Sequence, residues 1–184
     1  MNKPPKPNTW KKISGKKIYE NPWITLDEDQ VINPGGGNSV YGKVHFKNYA
    51  IGVIPLDEAN NTWIVGQWRY SLNEYSWEIP MGGGPLEIDL LESAKRELKE
   101  ETGLTAESWE LFMKLHTSNS VTDEVGFAYV AKELTQGETE FEETEDLLIK
   151  KLPFTQVVDM VMTGEITDGL SMVAILKLAR LLGL

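Results

Sequence analysis

Apolar and polar residues follow strand-like and helix-like spacings along most of this chain. Runs rich in β-branched and aromatic residues predict strands at residues 49–56, 63–70, 110–116, 124–131 and 147–152. Helical spacing of apolar residues occurs over residues 154–162 and 171–182, and Asp168-Gly169 precedes the second of these helices. Strands that interleave with helices indicate an α/β chain.

The first 47 residues differ in composition from the rest of the chain. Residues 1–12 are polar and rich in Pro and Lys, which predicts a tail without regular structure. Residues 16–33 and 39–47 have the composition of extended segments, and the sequence PGGGN between them is a strong turn signal. We therefore predict a tail and β-hairpin extension over 1–47 and a main domain over 48–184.

A further helix is predicted between Asp89 and Gly103. Leu91, Ala94 and Leu98 recur at i, i+3 and i+7, which gives an apolar stripe suited to packing against a sheet. Asp89 is a typical N-terminal capping residue, and glycine is the usual residue at the C-terminal cap. The sequence therefore predicts both ends of this helix and its buried face.

Glu97, Glu100 and Glu101 share another face of the same helix. Like charges at these spacings repel by roughly 0.3 kcal/mol per pair, so keeping them together suggests a use for concentrated negative charge. A hard divalent cation is the obvious use, because Mg²⁺ takes oxygen ligands and commonly bridges carboxylates to substrate phosphates. A solvated acidic face is the alternative interpretation of the three carboxylates taken alone.

The residues around these carboxylates resemble the Nudix box, whose pattern is G-x5-E-x7-R-E-U-x-E-E-x-G-U with U apolar. The resemblance covers residues 82–104, GGGPLEIDLLESAKRELKEETGL, and departs at one fixed position, where Ile88 replaces the first Glu. In the family that Glu supports the loop by pairing with the box arginine, here Arg96. Glu92 lies one turn before Arg96 and is predicted to take over the pairing as an i,i+4 pair.

This resemblance implies a fold, a cofactor and a set of ligands. The fold would be the α/β/α Nudix sandwich with a mixed sheet, preceded here by the N-terminal β-hairpin extension. The cofactor would be Mg²⁺ or Mn²⁺, held by Glu97, Glu100, Glu101 and the backbone carbonyl of Met81, which precedes the box glycine. Glu100 is also a candidate for a catalytic role beside the metal.

Beyond the box, the chain is similar to the branch of ADP-ribose pyrophosphatases and nucleoside-diphosphate-sugar hydrolases. The N-terminal extension and the segments QWRY at 67–70 and WEIPMG at 77–82 carry this resemblance. In the branch the arginine and glutamate of these segments, here Arg69 and Glu78, help to hold substrate. The extension builds a domain-swapped homodimer there, so we expect a homodimer.

The same resemblance draws attention to two polar segments. The acidic sequence at 142–146 lies where the branch has a loop that supplies the catalytic base, which indicates Glu143 or Glu145 without choosing between them. A solvated loop is the alternative. The segment SNSVTDE at 118–124 has Asn119 where the branch has a proline associated with ADP-ribose specificity. Ser118 and Asn119 are therefore candidates to bind sugar hydroxyls, although loop formation also accounts for either residue.

Composition limits the possible functions further. The chain has 184 residues, 41% hydrophobic and 25% charged, which suits an ordinary soluble globular chain long enough for one domain with a core. A formal net charge of −10 argues against nonspecific nucleic-acid binding, although not against metal-bound nucleotides. The absence of cysteine excludes disulfides, a thiol nucleophile and a Cys-based zinc site. Without an apolar signal region or a run of 18 apolar residues, we expect a cytoplasmic protein with no membrane partner.

The sequence thus predicts metal-dependent hydrolysis of the pyrophosphate bond of a nucleoside diphosphate sugar, giving a nucleoside monophosphate and a sugar phosphate. ADP-ribose pyrophosphatase activity is the alternative within the branch. An inactive Nudix-type nucleotide-binding sensor is the alternative from another class; Ile88 leaves room for it, whereas the intact RELKEE core at 96–101 argues against it. A nucleoside-triphosphate hydrolase is disfavoured by the N-terminal extension.

Overall fold

The computed structural model describes residues 6–139 and 146–184, so the candidate bases Glu143 and Glu145 lie outside the described residues. The described residues form two units. The first contains the residues up to Lys47 together with Ser118–Glu124, and the second contains the remainder from Asn48 onward. No helix in the described ranges is both long enough and apolar enough to span a membrane.

The first unit is built on a three-stranded antiparallel sheet in the order β1-β2-β3, with strands β1 (Lys11–Glu20), β2 (Ile24–Ile32) and β3 (Asn38–Phe46). The predicted hairpin between β2 and β3 is confirmed, and the Asn33 side chain accepts hydrogen bonds from two backbone N–H groups of its turn. The single extended segment predicted over 16–33 is wrong, because a turn capped by Asn21 divides it into two strands.

Residues 11 and 12, predicted as part of the tail, belong to β1. Both residues are lysines, so the composition on which the tail prediction depended extends into the strand, where pairing with Ile32 and Val31 of β2 holds them. The segment Ser118–Glu124 lies against β3, where Val44 and Thr122 form a parallel bridge. Asp123 secures it, because its carboxylate bonds His45 Nδ1 at 2.6 Å and accepts the Phe46 N–H at 3.0 Å.

The second unit contains two sheets and three helices. A mixed sheet has the order β7-β4-β9-β8, in which β4 and β9 are parallel, and a smaller antiparallel sheet has the order β10-β5-β6. The strands are β4 (Asn48–Pro55), β5 (Asn61–Arg69), β6 (Glu74–Glu78), β7 (Met81–Pro85), β8 (Leu104–His116), β9 (Val125–Gln136) and β10 (Leu148–Pro153). The helices are α1 (Leu90–Thr102), α2 (Phe154–Thr163) and α3 (Gly169–Leu182).

The alternation of side chains along the central strands places helices on both faces of the mixed sheet. On β9, Tyr129 belongs to the same buried apolar cluster as Leu98 of α1. Its neighbours Ala128 and Val130 belong to a second cluster, which includes Val157 of α2 and residues of α3. This arrangement confirms the predicted α/β fold class.

Candidate active site

Helix α1 has the two ends predicted from the sequence. The Asp89 side chain accepts hydrogen bonds from the backbone N–H groups of Leu91 at 2.9 Å and Glu92 at 3.3 Å. Gly103 ends the helix with φ of 72°, in the left-handed region that glycine enters without strain. Fixed ends hold the carboxylate-bearing face of α1 in a defined position beside β7.

Two of the three box carboxylates are buried rather than solvated. Glu97 is 5% exposed and Glu101 is 1% exposed. β7 passes close to them, and a Cβ atom on Gly82 would overlap the Glu97 carboxylate, which explains why glycine stands there. Gly82 and its glycine neighbours belong to β7, where pairing with β4 satisfies their backbone hydrogen bonds. A solvated acidic face therefore does not describe Glu97 and Glu101.

Glu101 is bonded to the strand that carries the predicted carbonyl ligand. Its Oε2 accepts the backbone N–H of Met81 at 2.8 Å. One residue earlier, the Pro80 carbonyl accepts the N–H of Val53 in β4 at 2.8 Å. The Met81 backbone is therefore held between the helix and the mixed sheet.

Arg96 binds the other two carboxylates of the box. Its guanidinium donates to Glu97, to Glu100 at 2.6 Å and to the Gly83 carbonyl at 2.8 Å. Burial lowers the pKa of Arg96, but the charges of Glu97 and Glu100 more than offset this, so the pKa is raised. The predicted pairing of Arg96 with Glu92 is wrong.

Glu92 instead contacts Lys95 Nζ at 2.8 Å, and its side chain is 61% exposed. The prediction considered only helical spacing. Arg96 turns toward β7, where a backbone carbonyl and two carboxylates offer more bonds than a single solvated Glu. The geometry thus gives no role in loop support to Glu92.

The donor set fits a hard divalent cation. Glu97 and Glu101 are buried carboxylates, Glu100 lies on the same helix, and oxygen donors of this kind suit Mg²⁺ or Mn²⁺ better than a soft metal. Among the residues that the structure describes, no group of three acidic, His or Cys side chains is already gathered as a metal cluster. Arg96 bonds one oxygen of Glu97 and one oxygen of Glu100, so a cation would share these two carboxylates with the arginine.

Arg69 and Glu78, the predicted substrate-binding pair, form a two-pronged ion pair with each other. Arg69 Nε donates to Glu78 Oε1 at 2.9 Å, and Nη2 donates to Oε2. The Glu78 side chain is 3% exposed, whereas that of Arg69 is 37% exposed. The hydrogen bond to Glu78, with the charges of Glu78, Asp168 and Glu101, raises the pKa of Arg69.

Ser171 is a residue of this region that sequence reasoning missed. It lies in the first turn of α3, where its backbone N–H donates to the capping residue Asp168 at 2.8 Å. Its hydroxyl accepts the N–H of Ile79 at 3.1 Å, across a separation of 92 residues. The local sequence predicts the helix start, but no local signal predicts so distant a partner.

The structure places the predicted site residues in different parts of the molecule. The second unit holds a common set: Arg69, Glu78, Met81, Glu97, Glu100 and Glu101. Ser118 and Asn119 are exposed residues of the first unit, and the Ser118 carbonyl accepts the N–H groups of Val121 and Thr122 in a turn. These two hydrogen bonds form a turn.

Comparison with known proteins decides the family. The NUDIX domain model matches residues 47–165, well over half of the chain. The chain belongs to the Nudix family. A second model, the nucleoside diphosphate sugar hydrolase N-terminal domain, matches residues 10–44.

Curated relatives span most of this Nudix hydrolase. An ADP-ribose pyrophosphatase of Mycobacterium tuberculosis is 30% identical, over 89% of this chain and 80% of its own length. A methanol dehydrogenase activator of Bacillus methanolicus is 29% identical over 90% of each chain, and an ADP-ribose pyrophosphatase of Bacillus subtilis is 27% identical over the same shares.

A crystal structure of an ADP compounds hydrolase has the same fold, with a TM-score of 0.86 at 18% identity over 96% of this chain and 95% of that one. These findings confirm the predicted family, branch and enzyme class, so the chain is a Nudix pyrophosphohydrolase. The alternative of an inactive sensor is set aside.

Proposed function

We propose that this Nudix hydrolase cleaves the pyrophosphate bond of a nucleoside diphosphate sugar, giving a nucleoside monophosphate and a sugar phosphate. The observation that carries the proposal is the pair of buried carboxylates, Glu97 and Glu101, set against the Met81 strand. Carboxylate oxygens gathered on one helix face are donors that a hard divalent cation prefers, and such a cation commonly bridges carboxylates to substrate phosphates. The matched N-terminal family supports a nucleotide-sugar substrate.

The cation would be Mg²⁺ or Mn²⁺, held by Glu97, Glu100, Glu101 and the Met81 carbonyl, where it would neutralise phosphate charge and activate a water. Arg69 would orient the substrate. Glu78 accepts hydrogen bonds from Nε and Nη2 of Arg69. Nη1 of Arg69 makes no hydrogen bond among the described residues, so it can donate to a phosphate oxygen. Glu143 or Glu145, both outside the described residues, would accept the proton of the attacking water.

ADP-ribose is the second candidate substrate. Two of the relatives reported above are ADP-ribose pyrophosphatases. Asn119, in place of the branch's proline, supports a hexose nucleotide instead. Ser118 and Asn119 would bind the sugar hydroxyls, and a site built for hydroxyl partners rejects ligands that lack them.

A hydrolysis screen tests this choice. We expect kcat/KM to be highest for nucleoside diphosphate hexoses, lower for ADP-ribose and lowest for nucleoside triphosphates, in assays with Mg²⁺ and with Mn²⁺. The Asn119→Pro variant is the matched comparison. Residue 119 follows Ser118, the first residue of the turn, and proline is favoured at this second position of a turn. The variant should move the substrate preference toward ADP-ribose. A kcat/KM for ADP-ribose more than about tenfold above every hexose nucleotide would contradict the order.

We further propose that the chain is a homodimer assembled through its N-terminal extension. The first unit is a thin sheet with little core of its own, and Ile13, Tyr19 and Val40 are all at least half exposed, at 59%, 54% and 55%. Three-stranded sheets are stable when a hydrophobic face is covered, and exposed apolar residues of this number indicate an interface.

Sedimentation measures the assembly directly. At micromolar concentration we expect a species of twice the 20.7 kDa chain mass. Ile13→Glu should shift it toward monomer, because a charge in an apolar interface is poorly solvated. Met162→Glu, at a site 71% exposed in α2, is the control and should leave the dimer intact. A wild-type chain that sediments only as monomer would rule out the assembly.

A further inference from the structure

The backbone from Glu78 to Met81 crosses from the small sheet to the mixed sheet, so strand pairing does not hold it throughout. β6 ends at Glu78, which pairs with Val65, and β7 begins at Met81, which pairs with Gly52. Ile79, 1% exposed, lies between the two strands. A buried N–H at such a crossing needs an acceptor from elsewhere in the fold.

Ser171 provides that acceptor. Its side chain is fully buried, and its Oγ lies 3.1 Å from the Ile79 nitrogen and 3.9 Å from the Met81 sulfur. The Asp168 side chain caps the same helical turn, which fixes the hydroxyl in place. One serine thus contacts the residues on both sides of Pro80.

Two glycines let the first turn of α3 approach the mixed sheet closely. A Cβ atom on Gly52 would lie 2.7 Å from Ile79 Cδ1 and 3.2 Å from Leu170 Cδ2. A Cβ atom on Gly126 would lie 3.2 Å from Leu170 Cδ1. Packing this tight leaves little freedom for Ile79 or for the helix start to shift.

We propose that Ser171 is a positioning residue, whose hydroxyl fixes the Ile79–Met81 backbone and so keeps Met81 in place beside Glu101 of α1. Glu101 holds the same backbone from the helix side through the Met81 N–H. The inference rests on the proposed function, in which Met81 and Glu101 bind the cation. Ser171 itself touches neither cation nor substrate, so its effect on metal binding passes through the backbone.

The Ser171→Ala variant tests the inference by two measurements on the full-length protein. The first is amide hydrogen exchange, in which the Ile79 N–H, deprived of its acceptor, should exchange about tenfold faster. The second is Mn²⁺ binding without substrate, followed by electron paramagnetic resonance, in which we expect a Kd raised by about three- to tenfold.

Ser93→Ala is the matched control. Ser93 is also a buried helical serine, 1% exposed, and its hydroxyl has no hydrogen-bond partner among the described residues. Both measurements should match the wild type in this variant. Ser171→Cys fills the same space with a weaker acceptor, so its Ile79 exchange rate and its Mn²⁺ Kd should lie between those of the wild type and Ser171→Ala. It replaces the alanine variant if that variant fails to fold.

If the Ile79 amide exchanges at the wild-type rate in Ser171→Ala, then the Ser171 hydroxyl does not constrain this backbone and the proposal is wrong. Faster exchange with unchanged Mn²⁺ affinity would overturn the link to the metal ligands. A wild-type protein that binds no Mn²⁺ would contradict the proposed function instead, and this outcome is seen without any variant.

Discussion

Replacing Glu101 by Gln is expected to lower kcat by about a thousandfold or more. If Glu101 is a metal ligand, the amide removes one negative charge from the cation site, and metal assistance contributes several kcal/mol of transition-state stabilisation. Glu97→Gln should have an effect of similar size. Steady-state hydrolysis over a range of Mg²⁺ concentrations measures both, and a Glu101→Gln enzyme with wild-type turnover would refute the metal assignment.

This variant is not expected to unfold the protein, and the reason is specific to its position. Glu101 is 1% exposed and accepts the Met81 N–H, and a glutamine oxygen can accept the same bond without bringing a buried charge. The midpoint of thermal unfolding without metal should therefore change little. Added Mg²⁺ should raise it in the wild type by mass action, and raise it less in Glu101→Gln.

Glu92→Gln is the control on the same helix. Its side chain is 61% exposed and pairs only with Lys95 among the described residues. Surface pairs of this kind contribute at most about 1 kcal/mol. Turnover and metal dependence should therefore stay at the wild-type level, which would separate a specific effect of Glu101 from a general loss of helix charge.

The contrast between Glu101 and Glu92 shows what the sequence can predict about this helix. Its ends and apolar stripe are local features, set by Asp89, Gly103 and the spacing of Leu91, Ala94 and Leu98, and all are confirmed. The burial of its carboxylates depends on β7, which is absent from the predicted strands because glycine and proline are usually poor strand formers. Pairing with β4 overrides that preference.

Non-local partners account for the other differences. Arg96 turns toward the Gly83 carbonyl of β7 and away from Glu92, and the Ile79 N–H donates to Ser171, 92 residues away in α3. Spacing rules carry no information on such contacts. The Nudix resemblance supplied the box residues because it covers a fixed pattern, but it says nothing of Ser171, which lies outside that pattern.

Arg69 is expected to have both a structural role and a substrate-binding role. A single variant would lose both and could not separate them. Arg69→Ala leaves the Glu78 carboxylate, 3% exposed, without its partner. Breaking a buried pair in this way costs about 3–5 kcal/mol, and the partial exposure of Arg69 favours the lower end. We expect the unfolding midpoint to fall by roughly 6–12 °C for a chain of this size.

The double variant Arg69→Ala/Glu78→Gln separates the two roles. Removing the stranded charge should restore most of the lost stability, whereas the donor for the substrate phosphate stays absent. A lost charge-assisted hydrogen bond of about 1.5–3 kcal/mol then predicts a kcat/KM lower by roughly ten- to a hundredfold, mainly through KM. Arg180→Ala, an exposed arginine in the last turn of α3, is the control and should change neither stability nor kinetics.

A purely structural role for Arg69 would give a different result in the same double variant. If the guanidinium only neutralises Glu78, then stability and kcat/KM should recover together once the carboxylate is gone. Recovery of stability without recovery of kcat/KM would assign a role in substrate binding to the Arg69–Glu78 pair. We expect the bond to the substrate at Nη1, which makes no hydrogen bond among the described residues, because a guanidinium N–H is a strong donor to a phosphate oxygen.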